Sequence, residues 1–486
     1  MNCLFLCFVE FSLAIYISLA VIFSVIFASF KSYSFPSLLS IITSSSIFVF
    51  LLLILQLVDI SDSSFVLLNG LSLYSTFNIF FQGLLLISGC FILFLNRSYY
   101  FTRLLFQYEF DIIVIFSFLA LSALCFSNDF LTVYVVLELQ SLAFYILAGF
   151  WKNSEYCNES GLRYFVIGAF SSCLLILSFS FIYLSLGSTS FDIISTINSE
   201  VFIRFHLSLF GICLFLIALF FKLGAAPSHF WVCDVYEGAL INITAFFSII
   251  PKAVIFCLLF KFVSLAFLSH SSISSVLTTF SGIFSVFISS VAALYQKKTK
   301  RLVAYSAIGH VGFILLAFSY GNFDSVNSAL IYIVIYMITS LGIFSLLVGF
   351  SSHGFLFKYL VTWSFIKKWN IIIPLFLAIL LFSAAGIPPL AGFYSKFNVL
   401  MLLVLEERIV LALLLVVFSC ISCFFYIRLI KVLFFNLFAN NIFFNRICSK
   451  GFEFPLVASL FFTIFFLIKP ESLNNLFSYV TLLFIF

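Results

Sequence analysis

Five ionisable residues stand in stretches that are otherwise apolar: Glu138, Lys222, Lys252, His310 and Lys396. Glu138 lies in TVYVVLELQSLAFYILAGF, Lys222 ends the run ICLFLIALFF, and Lys252 follows Pro251. His310 lies in KRLVAYSAIGHVGFILL, and Lys396 follows AAGIPPLAGFYS. A charge deep in apolar sequence of membrane type costs at least about 2.5–3.5 kcal/mol, so each needs a reason to be there. The chemistry these types share is proton exchange. A carboxylate and an ammonium held together stabilise each other's charge and shed it when separated, so Glu138 and Lys222 read as a switchable pair. Histidine titrates near neutrality and can pass a proton from one ring nitrogen to the other. Blander readings stay open: lysines that snorkel to an interface, a Glu138 held by backbone or Gln140, and a His310 bonded to a nearby carbonyl.

Two of the lysines sit beside interruptions. In FKLGAAP, Gly224 and Pro227 follow Lys222, and in FSAAGIPP, Gly386, Pro388 and Pro389 precede Lys396. Proline lacks an N–H and its ring collides with the preceding turn, so both helices must break or kink. A break frees carbonyls, which is tolerated at membrane depth only where protein or a wet cavity covers them. Such a place reads as part of an ion path.

The elements that carry these residues follow from composition. The chain has 486 residues, 64% hydrophobic and 8% charged, with mean hydropathy +1.27. Soluble domains are about 45–50% apolar and about 25% charged, so this is an all-α, polytopic membrane protein with room for about fourteen transmembrane helices. Apolar runs place spans near 3–30, 37–58, 78–96, 110–126, 130–150, 162–186, 207–232, 239–267, 273–295, 302–320, 326–350, 371–402, 409–436 and 454–468. The first reads as a retained helix, since no basic region or cleavage site marks a signal peptide. About sixteen Lys and Arg lie beside loops after odd-numbered spans and about three beside the others, which puts Lys297 to Arg301 on the side of synthesis and Met1 opposite. The net charge of +5 is therefore membrane orientation and no nucleic-acid footprint. Twelve scattered cysteines have no metal spacing, and no phosphate loop, HExxH or nucleophile elbow occurs, so electron chemistry is not expected in this chain. The 74 Phe residues hint at the nucleotide bias of an organellar genome.

The paired interruptions suggest two inverted five-helix repeats, as in transporters whose sites lie at discontinuous helices. The expected division is N-terminal helices over 1–109, repeats over 110–267 and 273–436, and a C-terminal helix and tail over 437–486.

Several of these stretches together resemble one family. They are ELQSLAFYILA at Glu138, GLRYFVIGAFSS at Gly161, FKLGAAPSHFWVCDVYEG at Phe221, TAFFSIIPK ending at Lys252, KRLVAYSAIGHVGF at Lys300 and AAGIPPLAGFYSKF at Ala384. The chain is similar to the subunit 2 family of proton-pumping NADH:ubiquinone oxidoreductase, respiratory complex I, of the mitochondrial kind. Departures are Ser228, Cys233 and Ala307, where that family usually has Phe, Pro and Ser, and ALINIT after Gly238. The resemblance implies an antiporter-like, non-redox subunit of an NADH:ubiquinone reductase, packed among other membrane-arm subunits in the mitochondrial inner membrane. Flavin, iron–sulfur clusters and ubiquinone would lie elsewhere in that assembly. By motif, Glu138 and Lys222 would be the paired carboxylate and lysine, Lys252 the central lysine, and Lys396 the lysine of the second half-channel. Asp234 and Glu237, in DVYEG, read as capping or loop-locking residues. The competing classes are a subunit of a cation/proton antiporter and an inert scaffold.

Overall fold

The computed structural model describes residues 65–67, 70–103, 108–197, 205–266, 271–351, 358–366, 372–435 and 452–485. The expected spans at 3–30 and 37–58, with Met1, Lys31, Arg204, Lys367, Lys368, Arg446 and Lys450, lie outside the described residues.

Long apolar runs without internal breakers become helices because a helix alone satisfies every backbone group in hydrocarbon. They are α1 (Thr76–Arg103), α2 (Tyr108–Phe126), α3 (Phe130–Ala148), α4 (Glu155–Leu186), the short α5 (Phe191–Ile197), α6 (Phe205–Leu223), α7 (Phe230–Gly238) and α8 (Ile241–Lys261). There follow α9 (Ser271–Tyr295), α10 (Thr299–Phe318), α11 (Phe323–Ser351), α12 (Ile372–Ala385), α13 (Ala391–Leu405), α14 (Ile409–Phe435), α15 (Glu453–Phe465) and α16 (Glu471–Ile485). Among the described residues ten of these are long and apolar enough to cross a membrane. The chain is a multi-pass membrane protein. Two details differ from the sequence reading. A small antiparallel hairpin, β1 (Phe65–Leu67) with β2 (Ser72–Tyr74), interrupts the all-helical pattern before α1. The stretch after the last expected span is also no loose tail: α16 packs Phe477 and Phe484 against Phe80 and Phe77 of α1.

Both spans that carry Gly and Pro are broken, as their composition requires. The first divides into α6 and α7 around Gly224 to His229, the second into α12 and α13 around Gly386 to Leu390. In each the glycine takes a left-handed φ, +70° at Gly224 and +84° at Gly386, a conformation costly for a residue with a Cβ. The Ala226–Pro227 and Pro388–Pro389 peptides are cis. The two broken spans also run in opposite senses. α7 ends at Glu237, ion-paired with Lys298. α13 ends toward Glu406, whose carboxylate accepts from Asn322 at the start of α11, at 3.1 Å. Because α10 runs from Thr299 to Phe318 between these landmarks, the two ends lie at opposite faces of the helix layer.

The core is centred on α8 and α11. Every residue of α8 from Asn242 to Lys261 is buried. It packs between α1 and α11, with α10 beside it, so the polar groups it carries are enclosed by protein. By contrast α3, α4 and α14 expose apolar side chains such as Val135, Val166 and Val417, as lipid-facing or partner-facing helices do.

One end of the layer collects basic residues, in keeping with the uneven distribution of Lys and Arg. Arg163 pairs with Glu159 and Asp234, Arg301 with Asp234 and Glu237, and Lys298 with Glu237. Lys300 donates to the carbonyls of Glu237 and Ala239, closing the end of α7. Arg428 donates to Leu294 and Gln296 from α14, and Lys358 lies 4.8 Å from the centre of the Tyr156 ring.

Candidate functional site

Each break leaves a carbonyl that a side chain satisfies. Trp231 Nε1 donates to the Phe221 carbonyl at 2.8 Å, and Ser228 Oγ to that of Ala225 at 2.7 Å. At the second break the Lys396 ammonium fills the role, donating to the Ala385 carbonyl at 2.7 Å. The Lys396 side chain lies over Gly386, where an added Cβ would come within 2.7 Å of its Cδ. The ammonium is 5.5 Å from the Phe313 ring centre, and the residue is only 8% exposed. This is a buried lysine at a helix break, not a snorkelling one.

Lys252 occupies the middle of α8 and is 5% exposed. Pro251 removes the donor for the carbonyl four residues back, and the next carbonyl, Ser248, accepts from Tyr336 Oη at 2.9 Å. The same hydroxyl lies 3.4 Å from Lys252 Nζ, which also reaches the Ala307 carbonyl at 3.5 Å. Lys252 thus spans from the helix with its own break chemistry to α10 and α11.

Lys222 ends α6 and, with Lys252, lines a small enclosed cavity. About 20 Å³ there is open to water centres, room for a single molecule. Ser141 lines it too and lies 3.3 Å from Glu138 Oε2. Glu138 and Lys222 are not within ion-pair distance: among the described residues, all ion pairs within 4.0 Å belong to the basic end. The reason is placement. Glu138 is a half-buried residue on a lipid-side or partner-side helix, whereas Lys222 opens onto the cavity it shares with Lys252. Their link runs through Ser141 and that cavity.

His310 in α10 is held by tyrosines and not by a carbonyl. Its Nδ1 lies 3.0 Å from Tyr332 Oη and its Nε2 3.4 Å from Tyr426 Oη. Tyr336, the partner of Lys252, lies beside the imidazole with ring centres 5.2 Å apart and planes tilted by 41°. A second small cavity is lined by His310 and Lys396 together. The four residues Lys222, Lys252, His310 and Lys396 therefore form a succession through the protein interior, joined by hydroxyls and two one-molecule cavities.

Sequence reasoning missed the tyrosines and one lysine. Tyr332 and Tyr336 are one turn apart in IYIVIYMITS, a spacing that puts both on one face, and that was the available signal. Lys261, in CLLFKFVSLAFL, ends α8 fully enclosed and donates to the carbonyls of Cys125 and Ser127 at the end of α2. An apolar flank on both sides marked it as plainly as it marked Lys252. Asp234 and Glu237 hold the basic end together, as a locking role requires. Burial pushes the Glu237 carboxyl up, and the Lys298 and Arg301 charges more than offset this, holding it below the usual range. Among the described residues no group of three or more His, Cys, Asp or Glu could hold a metal ion.

Residues 127–422 match the sequence model of the NADH:quinone oxidoreductase/Mrp antiporter transmembrane family. NADH-ubiquinone oxidoreductase chain 2 of Marchantia polymorpha is 33% identical over 463 residues, covering 93% of each chain. NADH-quinone oxidoreductase subunit N of Pelagibacter ubique is 33% identical over 423 residues, covering 87% of this chain and 88% of its own. A chain of respiratory complex I from Thermus thermophilus superimposes with TM-score 0.78 at 22% identity, covering 95% of this chain and 98% of that one, which shows the shared fold. With the broken helices and buried lysines in place, the chain belongs to the NADH:quinone oxidoreductase/Mrp antiporter family of membrane proteins.

Proposed function

We propose that this chain is the antiporter-like, proton-translocating subunit in the membrane arm of a mitochondrial NADH:ubiquinone oxidoreductase. It acts in the inner membrane among other membrane-arm subunits and carries no redox centre. Flavin, iron–sulfur clusters and ubiquinone belong to other parts of the assembly, whose electron transfer drives it. The observation that carries this reading is the interior succession of Lys222, Lys252, His310 and Lys396, with hydroxyl and cavity links between neighbours. Glu138 adds a carboxylate at the Ser141 edge of the first cavity, where it sets the charge that Lys222 experiences. Relatives named as complex I subunits along nearly the whole length favour this assignment over a cation/proton antiporter.

In this mechanism a proton passes between Lys222 and Lys252 in one half of the chain and His310 and Lys396 in the other. Each lysine alternates between charged and neutral forms as its neighbour's charge changes. Lys222→Met and Glu138→Gln should each impair proton translocation while the complex still assembles, measured as ΔpH formed per NADH oxidised in proteoliposomes. Wild-type ΔpH in both variants overturns the path, and copurification with a complex that does not oxidise NADH overturns the assembly.

A further inference from the structure

Helical serines of this chain return their hydroxyls to the backbone: Ser248, Ser306, Ser340, Ser345 and, in the second cavity, Ser395 each bond the carbonyl three residues back, at 2.7 to 3.0 Å. This is the local bond a serine in a helix makes by default. Ser383, in the last turn of α12, departs from it. The residue is fully buried, and among the described residues its Oγ has no hydrogen-bond partner. A buried hydroxyl left that way is costly, so something of polar character belongs beside it. Ser383 lines the cavity that also holds His310, Tyr332, Tyr336, Ser395 and Lys396. About 10 Å³ there is open to water centres, enough for one molecule and no more. Gly392 keeps that space narrow and close: a Cβ there would lie 1.8 Å from the Ser383 carbonyl oxygen and 3.2 Å from its Oγ.

We propose that Ser383 holds one water that bridges Lys396 to the His310 cluster, which makes Ser383 a positioning residue for the proton step between them. The proposal rests on the proton path argued above. Both ring nitrogens of His310 face tyrosine hydroxyls, and a neutral imidazole carries one N–H, so one tyrosine donates to the ring and the other accepts from it. With Tyr332 as donor, Nδ1 is the open acceptor. Charged Lys396 gives one N–H proton to the water, and the water gives one of its own to Tyr332 Oη. Tyr332 in turn releases its hydroxyl proton to Nδ1. One N–H breaks at lysine, one N–H forms at imidazole, and each oxygen ends with the protons it began with. The products are neutral Lys396 and an imidazolium that donates to both tyrosines. Ser383 neither gains nor loses a proton; it fixes the water by accepting or donating one hydrogen bond.

The test uses the assembled complex in proteoliposomes with Ser383→Ala, which removes the hydroxyl, Ser383→Thr, which restores it, and Lys396→Met as reference. The expected result is loss of ΔpH per NADH oxidised in Ser383→Ala at wild-type assembly, with recovery in Ser383→Thr. Wild-type pumping in Ser383→Ala while Lys396→Met fails overturns the water bridge alone. Wild-type pumping in Lys396→Met overturns the underlying path instead. Loss in both serine variants shows that packing and not the hydroxyl matters, and also overturns the bridge. A structure of the assembled complex should show one ordered water within hydrogen-bond distance of Ser383 Oγ, and a dry cavity refutes the proposal however the variants behave.

Discussion

Tyr336 shows how one hydroxyl can serve structure and chemistry at once. It donates to the Ser248 carbonyl beside Pro251 and lies within reach of the Lys252 ammonium. Tyr336→Phe leaves the ring in place and removes both bonds, so a buried carbonyl and a buried lysine each lose a partner, at about 1–3 kcal/mol for the unsatisfied group. The variant should lower the melting temperature of the assembled subunit and slow proton translocation together. A variant that melts and pumps as the wild type does would remove Tyr336 from the path. The lysines themselves were visible in the amino-acid sequence because a charge amid apolar neighbours is rare and conspicuous. The tyrosines were not, since tyrosine is unremarkable in a membrane helix. Its importance here comes from bringing residues 248, 252, 310, 332 and 426 together, a fact of packing that no local pattern carries.

At the scale of elements, the two broken spans were legible because Gly and Pro act through local geometry. What they accomplish was less so. Lys222 and Lys396 sit on different sides of their breaks, one ending the first half-helix and the other entering the second, so only Lys396 can reach back to a freed carbonyl. The short helix α7 is held by the basic end, with Glu237 accepting from Lys298 and paired with Arg301. A carboxyl held below its ordinary range contributes stability that is present above its unfolded value, about 4.3, and is lost as pH falls through the folded one. Amide exchange across residues 230–238, corrected for its intrinsic pH dependence, should stay flat from about pH 5 to 8 and rise below about pH 4. Flat protection down to about pH 3 would show that the salt links do not hold α7. The Glu138–Lys222 pairing read from the sequence is not a direct contact here: the two lie beyond ion-pair distance and are linked through Ser141 and the first cavity.

For the whole molecule, the distribution of Lys and Arg foretold which loops share a side, and the basic end confirms that grouping for Arg163, Lys298, Lys300, Arg301, Lys358 and Arg428. Lys297 and Arg408 are both exposed and belong to opposite ends of the helix layer. Single-cysteine variants Lys297→Cys and Arg408→Cys should therefore react with an impermeant thiol reagent from opposite sides of sealed membranes, with position 297 open to the compartment of synthesis. Labelling of both from one side would contradict the arrangement of helices. The membrane class followed from hydropathy alone, whereas the hairpin before α1 and the docking of α16 depend on contacts distant in sequence.

The enclosure of α8 bears on how the chain is made. Its two lysines take partners from opposite directions in the sequence: Lys261 from residues 125 and 127, already synthesised, and Lys252 from residues 307 and 336, still to come. When α8 first leaves the ribosome, Lys261 can be satisfied at once while Lys252 waits for three more helices, the last two of which bring its partners. Until α11 arrives, an ammonium at membrane depth must be sheltered by the insertion machinery or carry water in with it. A nascent chain stopped near residue 298 should stay bound to that machinery and be degraded on release, whereas one extended past residue 351 should partition stably into lipid. Half of this protein is not a smaller version of the whole, because its central helix is finished only by residues translated after it.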